Sequence, residues 1–195
     1  MESIVVRTEQ EANEAIERLA GSMVLGCDTE TSGLSPSKGK LLSVQFSDGE
    51  LGCLVPVSEG VSLDLFRPLF DDGDISKAFH NAKFDLSFLA ASGISVNNVF
   101  DTMIAEKVLT RGADQSVSLA ETLYRYFAVD LDKGQRKKFG RAWDGKWSEE
   151  LVQYALGDVF YLPELVKRQI KWLEDLGLTE EYEEKALRAV SSFEF

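Results

Sequence analysis

The feature that most restricts the fold is a run of apolar residues, Met23-Val-Leu-Gly-Cys27, that stops abruptly at Asp28. Successive side chains on a strand point to opposite faces, so a run without alternation needs apolar cover on both sides. A central strand between layers of helix is the arrangement this run predicts, and the rest of the chain supplies the pieces. Leu41 to Ser47 and Leu51 to Val57 flank Asp48-Gly49-Glu50, and Asp-Gly between β-rich runs predicts a hairpin. Three consecutive strands therefore open the sheet antiparallel. Ile4 to Val6 and Ile75 to Phe79 read as further strands. Helices are predicted over 9–19, 63–70, 82–91 (ended by Gly93), 102–109 and 119–127, with Asp101 at the N-cap position of 102–109. From Ser148 onward the pattern is almost wholly helical, with Glu149 and Glu150 in the first turn, where the helix dipole favours acid. The expectation is one α/β domain over 1–195, with a core of about 20–170 and a helical extension of about 174–195.

Composition narrows the chemistry. At 195 residues with 44% hydrophobic content, the chain can bury a sufficient core without disulfide or metal staples. Cys27 and Cys53 lie inside apolar runs rather than at metal or redox spacing, which predicts a reduced, intracellular and cytoplasmic setting. The single histidine, His80, excludes a multi-histidine metal site and leaves carboxylate oxygens as ligands for a hard cation. The amino terminus lacks the apolar core of a signal peptide, and no stretch reaches the length of a membrane span, so no membrane association is expected. A net charge of −12 argues against a broadly cationic surface laid along nucleic acid.

Three spaced motifs carry the candidate chemistry. Asp28-Thr-Glu30 ends the apolar strand, and residues i and i+2 of a strand share a face. Two carboxylates so placed repel one another unless a cation such as Mg²⁺ or Mn²⁺ lies between them. Asn81 and Asp85 are four apart at the start of a helix, as are Tyr154 and Asp158 in another, so each pair shares a helix face. Asp158 stands among Leu156, Val159, Leu162 and Leu165, where an acid is costly to bury unless paired or coordinated. Taken singly, these motifs also fit a polar strand end, a surface acid and a core tyrosine.

The ordered combination D-x-E, N-x-x-x-D, Y-x-x-x-D is far more specific than its members. With Asp28-Thr-Glu-Thr-Ser-Gly-Leu34, His80-Asn-Ala-Lys-Phe-Asp85, Phe100-Asp-Thr-Met-Ile-Ala105 and Leu131-Asp-Lys, it resembles the DEDDy-type 3′-5′ exonuclease superfamily over about residues 20–170. It is most similar there to the proofreading domain of family A DNA polymerases; ribonuclease D is more distant. The resemblance implies a ribonuclease H-like mixed sheet, antiparallel over its first three strands and then parallel, flanked by helices. It implies that Asp28, Glu30 and Asp158 hold one divalent metal, Mg²⁺ or Mn²⁺, and that Asp28 with Asp85 holds a second. Tyr154 would orient the attacking water, Leu34 and Phe84 would pack on the terminal nucleotide, and Asn81 would help hold the site. Asp101 reads better as a helix cap, and His80 as structural or at most a phosphate contact. The implied activity is release of nucleoside 5′-monophosphates from the 3′ end of single-stranded DNA, as a stand-alone proofreading or repair enzyme, with a polymerase or replication protein as partner in trans. The enzymatic alternative is an exoribonuclease or short-oligonucleotide-degrading enzyme, and the third is an inert nucleic-acid-binding or assembly module.

Between Lys133 and Trp147, six basic residues face only Asp144 and are interleaved with Phe139, Trp143 and Trp147. Arg136, Lys137 and Lys138 are candidate phosphate contacts, with the aromatics as stacking surfaces for bases. The alternative is a solvated basic loop whose tryptophans anchor it to the core.

Overall fold

The computed structural model describes residues 2–57, 61–111, 113–131 and 143–191. Its centre is a six-stranded sheet made of β1 (Glu2–Val5), β2 (Val24–Thr31), β3 (Leu41–Ser47), β4 (Leu51–Pro56), β5 (Ser76–Phe79) and β6 (Val99–Asp101), in the order β1-β4-β3-β2-β5-β6. The expected antiparallel opening is present: β2 pairs antiparallel with β3, and β3 with β4. The β3–β4 turn forms as the Asp-Gly pair predicts, with Gly49 at φ 96° and the Asp48 carboxylate accepting the Glu50 and Leu51 N–H groups at 2.8 Å each. β5 and β6 then extend the sheet parallel to β2.

The apolar run is the middle of this sheet and is covered on both faces. On one face, Leu25, Cys27 and Phe46 are buried under α1 (Glu9–Leu19), through Ala12, Ala15 and Leu19, and under Phe66 and Phe70. α3 (Ala82–Ala91) joins that layer through Phe88 and Leu89. The opposite face carries α4 (Thr102–Thr110), α6 (Glu149–Phe160) and α7 (Leu162–Asp175). There Ala78 packs in one cluster with Ile104, Leu165 and Val166, and Leu54 in another with Leu151, Leu156 and Val159. α5 (Leu119–Phe127) lies outside α4, and α8 (Thr179–Ser191) packs against α3, α4 and α7 with Leu178 and Tyr182 buried. No helix among the described residues is long and apolar enough to cross a membrane.

Helix starts follow local chemistry. Thr8 and Glu11 form a reciprocal capping box on α1, and Ser148 accepts the Leu151 N–H at the start of α6. The structure differs from the sequence reading in three places. The predicted helix over 63–70 is a 3₁₀ turn, Leu63–Phe66, followed by a short α2 (Arg67–Asp71), because Pro68 has no N–H and is tolerated only in a first helical turn. β6 has three residues, too few to show alternation. β1 joins the far edge parallel to β4, a pairing between residues some fifty apart that no local pattern encodes.

Candidate active site

The site lies on the second half of β2, beyond the stretch that pairs with β5 and still paired with β3. Asp28 and Glu30 point to the face that carries α6, and α6 brings Asp158 to them: one carboxylate oxygen from each of the three lies within 4.8 Å of the other two. Glu30 is buried, while Asp28 and Asp158 keep partial access to solvent. Burial pushes the Asp28 carboxyl well above its ordinary range, and the charges of Asp85, Asp158 and Glu30 push it further. Three acids this close repel one another as carboxylates, and a cation among them would relieve that repulsion. Their oxygen-only donor set and small separation fit a hard divalent ion.

The fourth acid arrives from the other side of the sheet. Asp85 on α3 is 3% exposed, so it is not a surface acid, and it accepts a 2.6 Å hydrogen bond from the Thr29 hydroxyl. Thr29 lies between Asp28 and Glu30 on the strand, and Asp85 is near enough to Asp28 for its charge to act on it. Burial raises Asp85 to about 7, against the opposing effect of the Thr29 bond. The middle residue of D-x-E thus holds the fourth acid, a contact that sequence spacing does not disclose.

α3 is aimed by a polar latch. Asn81 precedes it in the left-handed conformation, at φ 78° and ψ 54°, and its side chain makes no cap bond among the described residues. The Asp101 carboxylate does that work instead. It accepts the Asn81 and Ala82 N–H groups at 3.2 and 2.9 Å, and those of Met103 and Ile104 at 2.9 and 3.1 Å. One carboxylate therefore caps α3 and α4 together, because the β5–β6 pairing sets Asp101 beside Phe79. Its own N–H donates to the Tyr182 hydroxyl at 3.0 Å, which ties α8 to the latch. His80 is structural, as expected. Nε2 donates to the Val117 carbonyl at 2.8 Å and Nδ1 meets the Thr102 hydroxyl at 2.8 Å, and burial lowers its pKa.

Tyr154 and Asp158 line one cleft of about 450 Å³ together with Asp130, Leu131, Glu150, Gln153 and Gly157. Leu34 is 86% exposed on the loop after β2, a large apolar side chain open to solvent. That loop is pinched shut by the backbone bond from Ser32 to Lys40. Phe84, half-buried, packs its ring on Phe88 at 5.2 Å. On β3, Gln45 stands opposite Asp28 and is fully buried; its amide donates to Ser43 Oγ at 2.5 Å, and its Oε1 has no hydrogen-bond partner among the described residues. No pattern in the sequence marks Gln45, since its identity matters only through a cross-strand neighbour.

Arg136, Lys137 and Lys138 lie outside the described residues. The two tryptophans within them correct the stacking reading: Trp147 is buried against Leu54 and Leu151, and Trp143 meets it edge-on at 5.1 Å, so both anchor the segment before α6 to the core.

Among curated proteins, the chain is 33% identical over 159 residues to protein RRP6-like 3 of Arabidopsis thaliana, covering 80% of this chain and 17% of that one. It is 31% identical to DNA polymerase I of Aquifex aeolicus, over 88% of this chain and 28% of the other, and 28% identical to ribonuclease D of Sphingobium indicum, over 82% and 41%. The chain thus spans less than half the length of each of these relatives. Among solved structures, Brucella melitensis NrnC with bound Mg²⁺ superposes with a TM-score of 0.78 at 26% identity, covering 97% of this chain and 89% of that one. NrnC bound to pGG gives 0.76 at 29% identity, over 88% and 83%. Escherichia coli RNase D, at 22% identity, shares the fold with a TM-score of 0.85, over 100% of this chain and 52% of the other. The 3′-5′ exonuclease family model matches residues 3–171, a span that includes Asp28, Glu30, Asp85 and Asp158. On that match the chain belongs to the 3′-5′ exonuclease family and is a nuclease.

Proposed function

We propose that the chain removes mononucleotides one at a time from the 3′ end of single-stranded RNA or of short oligonucleotides, with divalent metal as cofactor. The observation that carries the reading is the convergence of Asp28, Glu30 and Asp158 within 4.8 Å, with Asp158 and Tyr154 also lining a cleft open to solvent. Asp28, Glu30 and Asp158 would hold one Mg²⁺ or Mn²⁺, and Asp28 with Asp85 a second. When bound, such ions supply Lewis acidity and positive charge toward the phosphoryl oxygens of an in-line displacement. Tyr154, on the cleft wall one helical turn before Asp158, would orient the attacking water through its hydroxyl. Leu34 would pack on the terminal base and Phe84 beside it, while Asn81 would hold the backbone turn that starts α3. Arg136, Lys137 and Lys138 would meet the phosphates behind the scissile bond, so charge reversal there should raise KM and flatten its salt dependence. No covalent nucleophile is needed, and the products are a nucleoside 5′-monophosphate and a strand shorter by one.

Ribonuclease D and RRP6-like relatives, and the pGG held by NrnC, support an RNA or short-oligonucleotide substrate over the DNA substrate that the sequence motifs first suggest. The DNA polymerase I relative keeps single-stranded DNA as the second reading. The test is a rate comparison with Mg²⁺ on 5′-labelled single-stranded RNA, a dinucleotide, single-stranded DNA and duplex DNA. The expected order places RNA and the dinucleotide first; single-stranded DNA degraded faster than both would replace this reading with the second.

A further inference from the structure

Gly26 interrupts the apolar run of β2 and is buried at the centre of the sheet. A glycine inside a strand weakens it, having maximal backbone freedom and no side chain to pack, and commonly marks a place where another backbone comes close. Here that backbone is α6. A Cβ at Gly26 would stand 2.2 Å from the Val159 carbonyl oxygen, 3.2 Å from its carbonyl carbon and 3.0 Å from Leu162 Cβ. None of these atoms can swing away as the tip of a side chain could. Gly26, Asp28 and Glu30 share one strand face, and Val159 directly follows Asp158. This close approach of α6 to the sheet is therefore one residue from the acid that α6 delivers.

We propose that Gly26 is a positioning residue: its missing side chain lets the end of α6 rest on β2 and so sets the spacing of Asp158 from Asp28 and Glu30. The inference rests on reading those three acids as a divalent-metal site. A methyl group at position 26 moves the α6–α7 junction outward by about 1 Å to restore normal contact. Mg²⁺ requires near-octahedral oxygen ligands at about 2.0–2.1 Å, whereas Ca²⁺ accepts longer and more variable ones. The widened cluster should therefore lose Mg²⁺ more than Ca²⁺.

The test is calorimetric titration of Mg²⁺ and of Ca²⁺ into the metal-free full chain, for the wild type and Gly26→Ala. Gly26→Ala is expected to weaken Mg²⁺ by roughly 10–100-fold and Ca²⁺ by clearly less. Phe66→Leu, a core change on the other face of the sheet, is the control: it should lower Tm and leave both affinities unchanged. Leu162→Phe overpacks the same interface from the helix side, and reads the same Mg²⁺-selective loss should Gly26→Ala not fold. Asp158→Glu, whose carboxylate reaches further, should restore part of the Mg²⁺ affinity in the Gly26→Ala background. Wild-type Mg²⁺ affinity in both displaced variants, or equal loss of both ions, overturns the positioning role. A wild type that binds neither ion overturns the metal-site reading beneath it.

Discussion

Both helices that bring acids to β2 bury apolar residues and carry a polar cap, but what sets the acid-bearing end of each differs. α3, which carries Asp85, is fixed by hydrogen bonds: the Asp101 carboxylate takes four backbone N–H groups, Thr29 holds Asp85 itself, and His80 spans from Thr102 to Val117. α6, which carries Asp158, is fixed by packing, with Leu151, Val152, Ala155, Leu156 and Val159 all buried and the sheet backbone pressed against its last turn. Hydrogen bonds are directional and fail atom by atom, whereas close packing fails by volume. The α3 side should therefore respond to charge and pH, and the α6 side to methylene count.

The largest effect should come from the packed side. Leu156→Ala leaves a cavity under α6 and is expected to cost about 2–5 kcal/mol in urea unfolding, with kcat falling as Asp158 loses its seat. A loss within the range of a surface substitution would mean that α6 is not held by packing. Asp101→Ala removes caps from two helices at once and should cost about 1–4 kcal/mol, near twice an ordinary N-cap. Asp101→Asn, which keeps one acceptor oxygen, should recover part of it. Equal losses in the two variants would show that the shared carboxylate is not what latches α3.

A third effect separates the sides by pH. Folding raises Asp85 to about 7, above the value of about 4 expected for the unfolded chain. The unfolded chain thus releases this proton first as pH rises. The contribution of Asp85 to stability is present below about pH 4 and is lost as pH climbs toward 7. In metal-free protein, the urea midpoint of wild type should fall relative to Asp85→Asn across that window, and saturating Mg²⁺ should close the gap. A difference that stays constant with pH contradicts the assignment. Leu156→Ala should shift the midpoint by the same amount at both ends.

How much of this could be read from the sequence follows the same division. The apolar run announced a doubly covered strand, and the acids at its end and at helical spacing named the residues that converge. Those signals are local, and local periodicity survives in a single chain. What escaped depended on contacts between distant segments. Asp101 was legible as the cap of α4, yet its second duty to Asn81 and Ala82 exists only because β6 pairs with β5. Thr29 was the unremarkable middle of D-x-E until α3 placed Asp85 against its hydroxyl. Gly26 is one more member of the apolar run in the sequence, and only the Val159 carbonyl gives its missing side chain a reason. The tryptophans near the basic segment were ambiguous for the same cause, since stacking surface and core anchor have one composition and differ in what lies opposite.

The central claim is that carboxylates from β2 and α6 act as one metal-dependent nuclease centre, and the direct measurement follows a 5′-labelled single strand with time. Wild type with Mg²⁺ should give a ladder shortening by one nucleotide from the 3′ end, which vanishes with chelator and falls by roughly 10³-fold in Asp158→Asn. A ladder that persists undiminished in Asp158→Asn, or that forms without divalent metal, would contradict the account.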